Sequence, residues 1–163
     1  MRIRRAVPED AALLARLNPY VHSLHVESRP DIFQGTPDVE RLTARFAEQL
    51  RQDTARIFVA ELPDLPDLPD GGAAGYAGAT VHHRPADVLL NADSFIALDQ
   101  IVVVPAAKRL GVAGALLEAV REAGRKEGCR RMVTDVWDFN EGARSFYEAA
   151  GFRPMKRLLE QPL

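Results

Sequence analysis

The apolar run Ser94–Val104 (SFIALDQIVVV) constrains the fold of this 163-residue chain more than any other segment. A long run rich in valine and isoleucine is typical of a strand that is buried in the middle of a sheet. Pro105 ends the run and cannot donate to a β-ladder, because proline has no backbone N–H. Apolar residues at helical spacing then mark a helix over Val112–Lys126. The segment therefore predicts a central strand, a short loop and a helix that packs on the sheet.

The rest of the chain alternates between strand and helix patterns. Alternating or continuous apolar residues predict further strands at Arg2–Ala6, Arg56–Leu62, Gly75–His82, Arg131–Trp137 and about Phe152–Leu158. Helical spacing predicts helices over Ala11–Leu24, from an N-cap at Thr36 to Leu50, and over Asn140–Ala150. This order, βααβββαβαβ, predicts one mixed α/β domain over residues 1–163, with antiparallel strands first and βαβ crossovers later.

Residues 62–72 read LPDLPDLPDGG, a tripeptide written three times before two glycines. Proline at every third position favours an extended conformation with no ladder donors. Three such units are too few to bury a core, so we expect an exposed hairpin insertion at about 62–74. A docking segment for a partner remains the alternative.

Composition excludes several classes of function. The formal net charge of −2 gives no support for a nucleic-acid partner, and no apolar run is long enough to cross a membrane. The N-terminus MRIRRAVPED has no apolar segment behind its basic residues, so it does not resemble a secretion signal. Cys129 is the only cysteine, which predicts a cytoplasmic protein without disulfides. We expect no metal, since acids and cysteine at ligand spacing are missing around His22, His25, His82 and His83.

The loop before the helix over Val112–Lys126 has the features of an anion site. The N-terminus of a helix presents unpaired N–H groups and the positive end of a dipole. The small residues Gly111, Ala113 and Gly114 leave the backbone accessible, and two cations, Lys108 and Arg109, precede them. These residues favour phosphate, although neither GxxxxGK[ST] nor GxGxxG is present. Tight helix packing without a ligand and a module for ATP or NAD remain the alternatives.

A second motif identifies the loop more closely. The loop reads Lys108-Arg109-Leu110-Gly111-Val112-Ala113, and a downstream pattern consists of Asn140, Ala143, Tyr147, Gly151 and Phe152. Together they resemble the pyrophosphate loop, [QR]-x-x-G-x-[GA], and the Asn-x-x-Ala-x-x-x-Tyr-x-x-x-Gly-Phe pattern of the GCN5-related N-acetyltransferases (GNAT). The resemblance extends from Ile3 to the C-terminus. Lys108 departs from the family pattern, since lysine supplies charge without the bidentate fork of arginine.

The resemblance implies a GNAT-like fold, in which a central twisted mixed sheet of about six to seven strands is flanked by four helices. It implies acetyl-CoA as co-substrate, whose acetyl group passes to a primary amine of a small molecule or peptide by direct attack in a ternary complex. The residues that it implies for binding acetyl-CoA are Val102, Val103, Val104, Lys108, Arg109, Leu110, Gly111, Val112, Ala113, Gly114, Asn140 and Tyr147. A backbone N–H of Val102 or Val103 is expected to stabilise the oxyanion.

Two side chains are candidates for proton transfer. Tyr147 matches the family's general-acid tyrosine, and a phenol with a pKa of about 10 is protonated at neutral pH. Asp99, on the central strand where many members carry Glu, is the candidate base for an ammonium with a pKa of about 10.4. Asp138 and Glu61 are weaker candidates. The alternative interpretations are a core aromatic for Tyr147 and a surface carboxylate for Asp99.

The acceptor side is less constrained than the acetyl-CoA side. His25, Asp31, Phe33 and Trp137 lie where the resemblance places the wall of the acceptor site. The sequence does not name the amine, and a homodimer stays open. An acyl-CoA-binding regulator on the same fold, without turnover, is the alternative function.

Overall fold

A computed structural model describes residues 1–66, 68 and 71–163. Within these residues one sheet has five strands, in the order β1 (Arg2–Arg5), β2 (Ala55–Glu61), β3 (Ala73–Arg84), β4 (Asp93–Val103) and β5 (Arg131–Thr134). Neighbours from β1 to β4 are antiparallel, and β5 pairs parallel to β4. The predicted change from antiparallel strands to a βαβ crossover is confirmed.

The described helices are α1 (Ala11–Leu17), α2 (Pro19–Ser28), α3 (Val39–Leu50), α4 (Val112–Lys126) and α5 (Glu141–Ala149), with 3₁₀ turns at Pro8–Asp10 and Pro105–Ala107. The bounds predicted for α4 are confirmed. The single helix predicted over 11–24 is wrong, because Pro19 has no N–H and the helix divides at Asn18. The N-cap predicted at Thr36 is also wrong, since Asp38 caps α3 by accepting from the N–H of Arg41 at 2.9 Å.

The strand count differs from the six to seven strands that were expected, and five helices replace the expected four. β5 ends at Thr134 and not at Trp137, and residues 152–158 form no strand. A strand needs a partner edge, and within the single chain this segment pairs with none. Residues 62–72 connect the antiparallel β2 and β3, and Leu62 N–H donates to Gly72 O at 2.8 Å. Residues 67, 69 and 70 of the predicted insertion lie outside the described residues.

Helix α4 packs closely on the sheet through a glycine. Gly124 is buried, and a Cβ at this position would lie 2.7 Å from Cγ2 of Ile96 on β4. Neighbouring residues on the same helix face, Leu116 and Val120, are fully buried. The helix is therefore seated on β4 at a distance that only glycine permits.

Replacing Gly124 by alanine is expected to destabilise the fold by about 1–3 kcal/mol, because the new methyl group must displace Ile96 or the helix. Urea unfolding measures the effect. Gly114→Ala is the matched control, since a Cβ there meets nothing within 4 Å. The free energy of unfolding of this control is expected to rise by about 0.5–1 kcal/mol, because alanine has a better helix propensity than glycine. Equal stabilities of the two variants would contradict the close approach.

Candidate functional site

The two parallel strands, β4 and β5, stop pairing part of the way along β4. Their pairing runs from Phe95 opposite Arg131 to Leu98 opposite Thr134, whereas β4 continues to Val103. Beyond Leu98 the edge of β4 that faces β5 has no strand partner among the described residues. The result is a cleft with an open strand edge on one side, to which an extended ligand can add backbone hydrogen bonds.

The direction of the hydrogen bonds shows which groups face this cleft. Val104 N–H donates to Ala74 O on the β3 side at 3.0 Å. Because successive residues of a strand point their backbone groups to opposite edges, Val102 also faces β3 and Val103 faces the cleft. Of the two oxyanion donors predicted from sequence, the geometry favours Val103. The side chains of Val102 and Val104 are buried in the core, so only their backbone is relevant to a ligand.

A row of unpaired amides follows the strand. Among the described residues, none of the six N–H groups from Arg109 to Gly114 has an acceptor within the protein, and the first helical bond runs from Ala115 N–H to Gly111 O at 3.0 Å. Arg109 and Gly111 have positive φ angles of 64° and 81°, which curves the backbone so that consecutive amides converge. We call residues 109–114 the amide cradle.

The amide cradle is open and positively charged. Lys108, Arg109 and Leu110 are exposed, and a Cβ added at Gly114 would meet no protein atom within 4 Å. Only Val112 of this segment is buried in the core. A polyanion such as a pyrophosphate fits such a group, because it accepts from several amides at once at the positive end of α4.

Asp99 lies at the point where the cleft opens. Gly78 pairs with Gln100 and Ala79 pairs with Leu98, so Asp99 is the extra residue of a β-bulge, a feature that redirects side chains next to functional sites. Thr80 Oγ1 donates a hydrogen bond to Asp99 Oδ2 at 2.6 Å. Burial raises the pKa of the Asp99 carboxyl, and the hydrogen bond from Thr80 opposes that rise. This carboxylate is suited to accept a proton.

Tyr147, on helix α5, lies beside the same point through its contact with the end of β5. Burial raises the pKa of its phenol, and a hydrogen bond with Thr134 opposes the rise, so the hydroxyl is protonated at neutral pH. Thr134 is the last residue of β5 and donates to Leu98 O at 3.0 Å. The ring, 8% exposed, packs on Phe146 and Phe152. A proton donor and a proton acceptor therefore flank the end of the β4–β5 pairing.

Asn140 caps helix α5. Its Oδ1 accepts from Ala143 N–H at 3.0 Å, which accounts for an asparagine at this position. Its side-chain amide N–H group has no partner among the described residues. A role in binding a ligand stays a prediction for that free donor.

Three of the four predicted acceptor-side residues meet in an aromatic cluster, which we call the aromatic wall. Ring centroids are 4.9 Å apart for His25 and Phe33, 5.3 Å for Phe33 and Trp137, and 5.7 Å for Trp137 and Phe139. Burial and the neighbouring His22 lower the pKa of His25, so its ring is neutral at pH 7. The wall joins the end of α2 to the loop after β5.

Asp31 does not join the aromatic wall as a free carboxylate. It forms two hydrogen bonds with the guanidinium of Arg29, at 2.9 and 2.8 Å, and Arg29 also binds Glu160.

Two residues near the site, Phe139 and Thr80, were not predicted from the sequence. Phe139 carried a usable signal, since it lies two residues after Trp137 in the same loop. Thr80 carried none, because only the register of β3 on β4 brings it to Asp99.

Two other kinds of site receive no support from the part of the chain that the structure describes. No group of three or more His, Cys, Asp or Glu side chains is placed to hold a metal ion there. None of its helices combines the length and the apolar character that crossing a bilayer requires.

Comparison with known proteins gives a consistent family. The sequence model described as the acetyltransferase (GNAT) family matches residues 19–152. The aminoglycoside N(6')-acetyltransferase type 1 of Salmonella typhimurium is 32% identical over 133 residues, which cover 80% of this chain and 84% of that protein. The same enzyme type from Salmonella enteritidis matches to the same extent.

Solved structures with the same fold cover nearly the whole chain. The tetramutant of the BH1408 protein from Bacillus halodurans has a TM-score of 0.88 at 25% identity, with 100% of both chains covered. Aminoglycoside acetyltransferase AAC(6')-Iy, in complex with the bisubstrate analogue CoA-S-monomethyl-acetylneamine, has a TM-score of 0.73 at 25% identity, with 99% of this chain and 97% of that chain covered.

Proposed function

The chain belongs to the acetyltransferase (GNAT) family, and we propose that it acetylates a small molecule with several amino groups, of the aminoglycoside type. It is an acyl-CoA-dependent N-acetyltransferase that uses acetyl-CoA as co-substrate. The observation that carries the proposal for the acetyl-CoA site is that the amide cradle directly follows the open edge of β4. An extended arm that ends in a pyrophosphate needs these two features in this order.

The residues present fit acetyl-CoA at each part of that arm. The amide cradle would bind the pyrophosphate, and Lys108 and Arg109 would add charge. The open edge of β4 would pair with the pantetheine, and Asn140 would donate from its free side-chain N–H group. Val103 N–H faces the cleft and would bind the thioester oxygen.

We propose one direct transfer step, to which acetyl-CoA supplies an activated thioester. Asp99 takes a proton from the acceptor ammonium, which frees the nitrogen lone pair for attack on the thioester carbon. Val103 N–H stabilises the negative charge that develops on the carbonyl oxygen. The C–N bond forms and the C–S bond breaks, and the nitrogen then releases its second proton to solvent. Tyr147 donates a proton to the leaving thiolate and regains one from solvent.

The charges at the mouth of the cleft support a polycationic acceptor. Asp99 and Asp135 follow the ends of the β4–β5 pairing. Both side chains reach solvent, although the surrounding protein partly desolvates the carboxyl of Asp99, and neither has an ion-pair partner among the described residues. Two carboxylates attract an acceptor that carries several ammonium groups. One ammonium group can then bind a carboxylate while another one reacts. The aromatic wall provides a flat apolar surface beside them, on which a sugar ring can pack.

A thiol-release assay with acetyl-CoA tests the acceptor class. The panel consists of neamine, a linear polyamine, a monoamine, and a peptide with a free N-terminus and a lysine. We expect the highest kcat/KM for neamine. Turnover of the peptide alone would contradict the small-molecule acceptor. CoA binding without turnover of any amine would favour the acyl-CoA-binding regulator.

Replacing Gly111 by alanine tests the amide cradle. Gly111 has a φ of +81°, and an alanine in this left-handed conformation lowers the free energy of unfolding by about 1–2 kcal/mol. The matched control is Gly128→Ala at the other end of α4, since Gly128 has a φ of +70° and a Cβ there meets no atom within 4 Å, while one at Gly111 would meet only Met1 Cε at 4.0 Å. We expect similar losses of stability, measured by urea unfolding, and an increase in the Kd for CoA, measured by calorimetry, for Gly111→Ala alone. Equal CoA affinities of the two variants would contradict the cradle as the pyrophosphate site.

A further inference from the structure

A buried chain of three polar side chains crosses the core beside the cleft. Tyr76, on β3, is fully buried, and its ring packs edge-on against Phe46 of α3 with 5.8 Å between centroids. Its hydroxyl accepts a hydrogen bond from Nδ2 of Asn18 at 3.2 Å and donates one to Oε1 of Gln100 on β4. Buried polar groups that are hydrogen-bonded to one another hold a fixed geometry. The network therefore ties the junction of α1 and α2 to β4.

The bulge in β4 brings Gln100 to the same face of the sheet as Asp99. Tyr76 and Thr80 lie four residues apart on β3, so their side chains share one face. Thr80 binds Asp99, and Tyr76 binds Gln100. Consecutive residues of a regular strand point to opposite faces, and the bulge is what turns these two to the same one. Gln100 therefore lies next to the carboxylate that we propose as the base.

The network fixes which end of the Gln100 amide faces outwards. Burial raises the pKa of the Tyr76 phenol, so the hydroxyl keeps its one hydrogen at neutral pH. Because Asn18 already donates to this hydroxyl, Tyr76 donates its hydrogen to Oε1 of Gln100, and Nε2 points away. Nε of Arg131 is the one buried side-chain atom without a partner in the part of the chain that the structure describes, so the unpaired Nε2 of Gln100 reaches solvent. An oriented N–H donor is thus accessible beside Asp99.

We propose that the side-chain amide of Gln100 is a subsite for an oxygen atom of the acceptor, a hydroxyl or ether oxygen close to the amine that reacts. The inference rests on the proposed function and adds that the acceptor carries oxygen as well as several amino groups. An ammonium group has only N–H donors and cannot accept from Nε2, whereas it can donate to Asp99. The two neighbours thus sort the oxygen and the nitrogen of the acceptor, and Tyr76 is a positioning residue for the amide.

Two amines that differ in oxygen content test the subsite. Neamine carries hydroxyl and ether oxygens, whereas spermidine carries amino groups alone. Gln100→Met keeps the length of the side chain and removes the donor. We expect kcat/KM for neamine to fall roughly tenfold, the size expected for one net hydrogen bond, and kcat/KM for spermidine to stay unchanged. The Kd values of both amines for the CoA-bound enzyme, measured by calorimetry, should follow the same pattern, and they decide where spermidine turns over too slowly to measure.

A second variant and a matched control separate the subsite from a structural role. Tyr76→Phe keeps Gln100 but removes the bond that orients its amide, so kcat/KM for neamine should fall by a smaller factor and that for spermidine should again stay unchanged. The control is Gln49→Met, because Gln49 is partly exposed like Gln100 but lies on α3. It should change neither acceptor. If urea unfolding shows that Gln100→Met does not fold, Tyr76→Phe decides alone.

Three results overturn the inference while the proposed function stands. Neamine kinetics that are unchanged in Gln100→Met would mean that the amide touches no substrate. Equal losses with both amines would leave Gln100 a structural role only. A larger loss with spermidine would mean that the oxygen of the amide, and not its N–H group, faces the acceptor. A wild type that acetylates neither amine would overturn the proposed function and the subsite together.

Discussion

Tyr147→Phe is expected to lower kcat by roughly 10²–10⁴-fold while acetyl-CoA still binds. The phenol lies beside the end of the β4–β5 pairing, in contact with Thr134, and burial raises its pKa, so that it is protonated at neutral pH and can donate. The phenylalanine ring retains the packing on Phe146 and Phe152, so only the hydroxyl and its hydrogen bond with Thr134 are lost. That loss costs about 1 kcal/mol of stability.

Steady-state kinetics and calorimetry with CoA separate the two roles of Tyr147. The control is Tyr20→Phe, because Tyr20 is half exposed on α2. This control should leave kcat unchanged. If Tyr147→Phe loses stability and keeps its kcat, Tyr147 is a core aromatic only, and the leaving thiolate is protonated by water.

Asp99→Asn is expected to lower kcat/KM by roughly 10²–10⁴-fold, because the amide cannot take the proton of the acceptor ammonium. The wild-type rate should fall as the pH drops through the pKa of Asp99, which burial raises above its ordinary value. A raised pKa means that the folded state disfavours the carboxylate, so Asp99→Asn is not expected to lose stability at neutral pH.

Thr80→Val is expected to shift the pH profile of kcat/KM while the carboxylate of Asp99 stays in place. The hydrogen bond from Thr80 Oγ1 favours ionised Asp99, so its loss raises the pKa of Asp99 further and moves the acid limb to higher pH. Asp138→Asn is the control, since Asp138 is fully exposed and pairs with Arg144 at 3.0 Å. A pH profile that is unchanged in both Asp99→Asn and Thr80→Val would assign the base to another group.

Local patterns predicted the parts of the site that depend on neighbouring residues. Helix α4 begins and ends where its apolar period begins and ends. The small residues after Pro105 predicted an accessible helix N-terminus, and the structure leaves the amides of 109–114 unpaired there. These features are visible in sequence because each depends on contacts within a few residues.

Features that depend on distant parts of the chain were missed. The bulge at Asp99 follows from the register of β4 on β3, which no local pattern fixes. The aromatic wall requires the end of α2 to meet the loop after β5, and only the His25, Phe33 and Trp137 part of it was predicted. The predicted C-terminal strand is absent because a strand is defined by its partner as well as by its own sequence.

Initial velocities with acetyl-CoA and neamine varied together test direct transfer in this cleft. Cys129, the only cysteine, lies beside Gly124 near the far end of α4, about 15 Å from the amide cradle at 1.5 Å per helical residue. Burial also raises the pKa of its thiol, so it offers no thiolate to carry the acetyl group. We expect intersecting lines in the double-reciprocal plot and no acetylated protein by mass spectrometry. Parallel lines with an acetylated enzyme would contradict direct attack in a ternary complex.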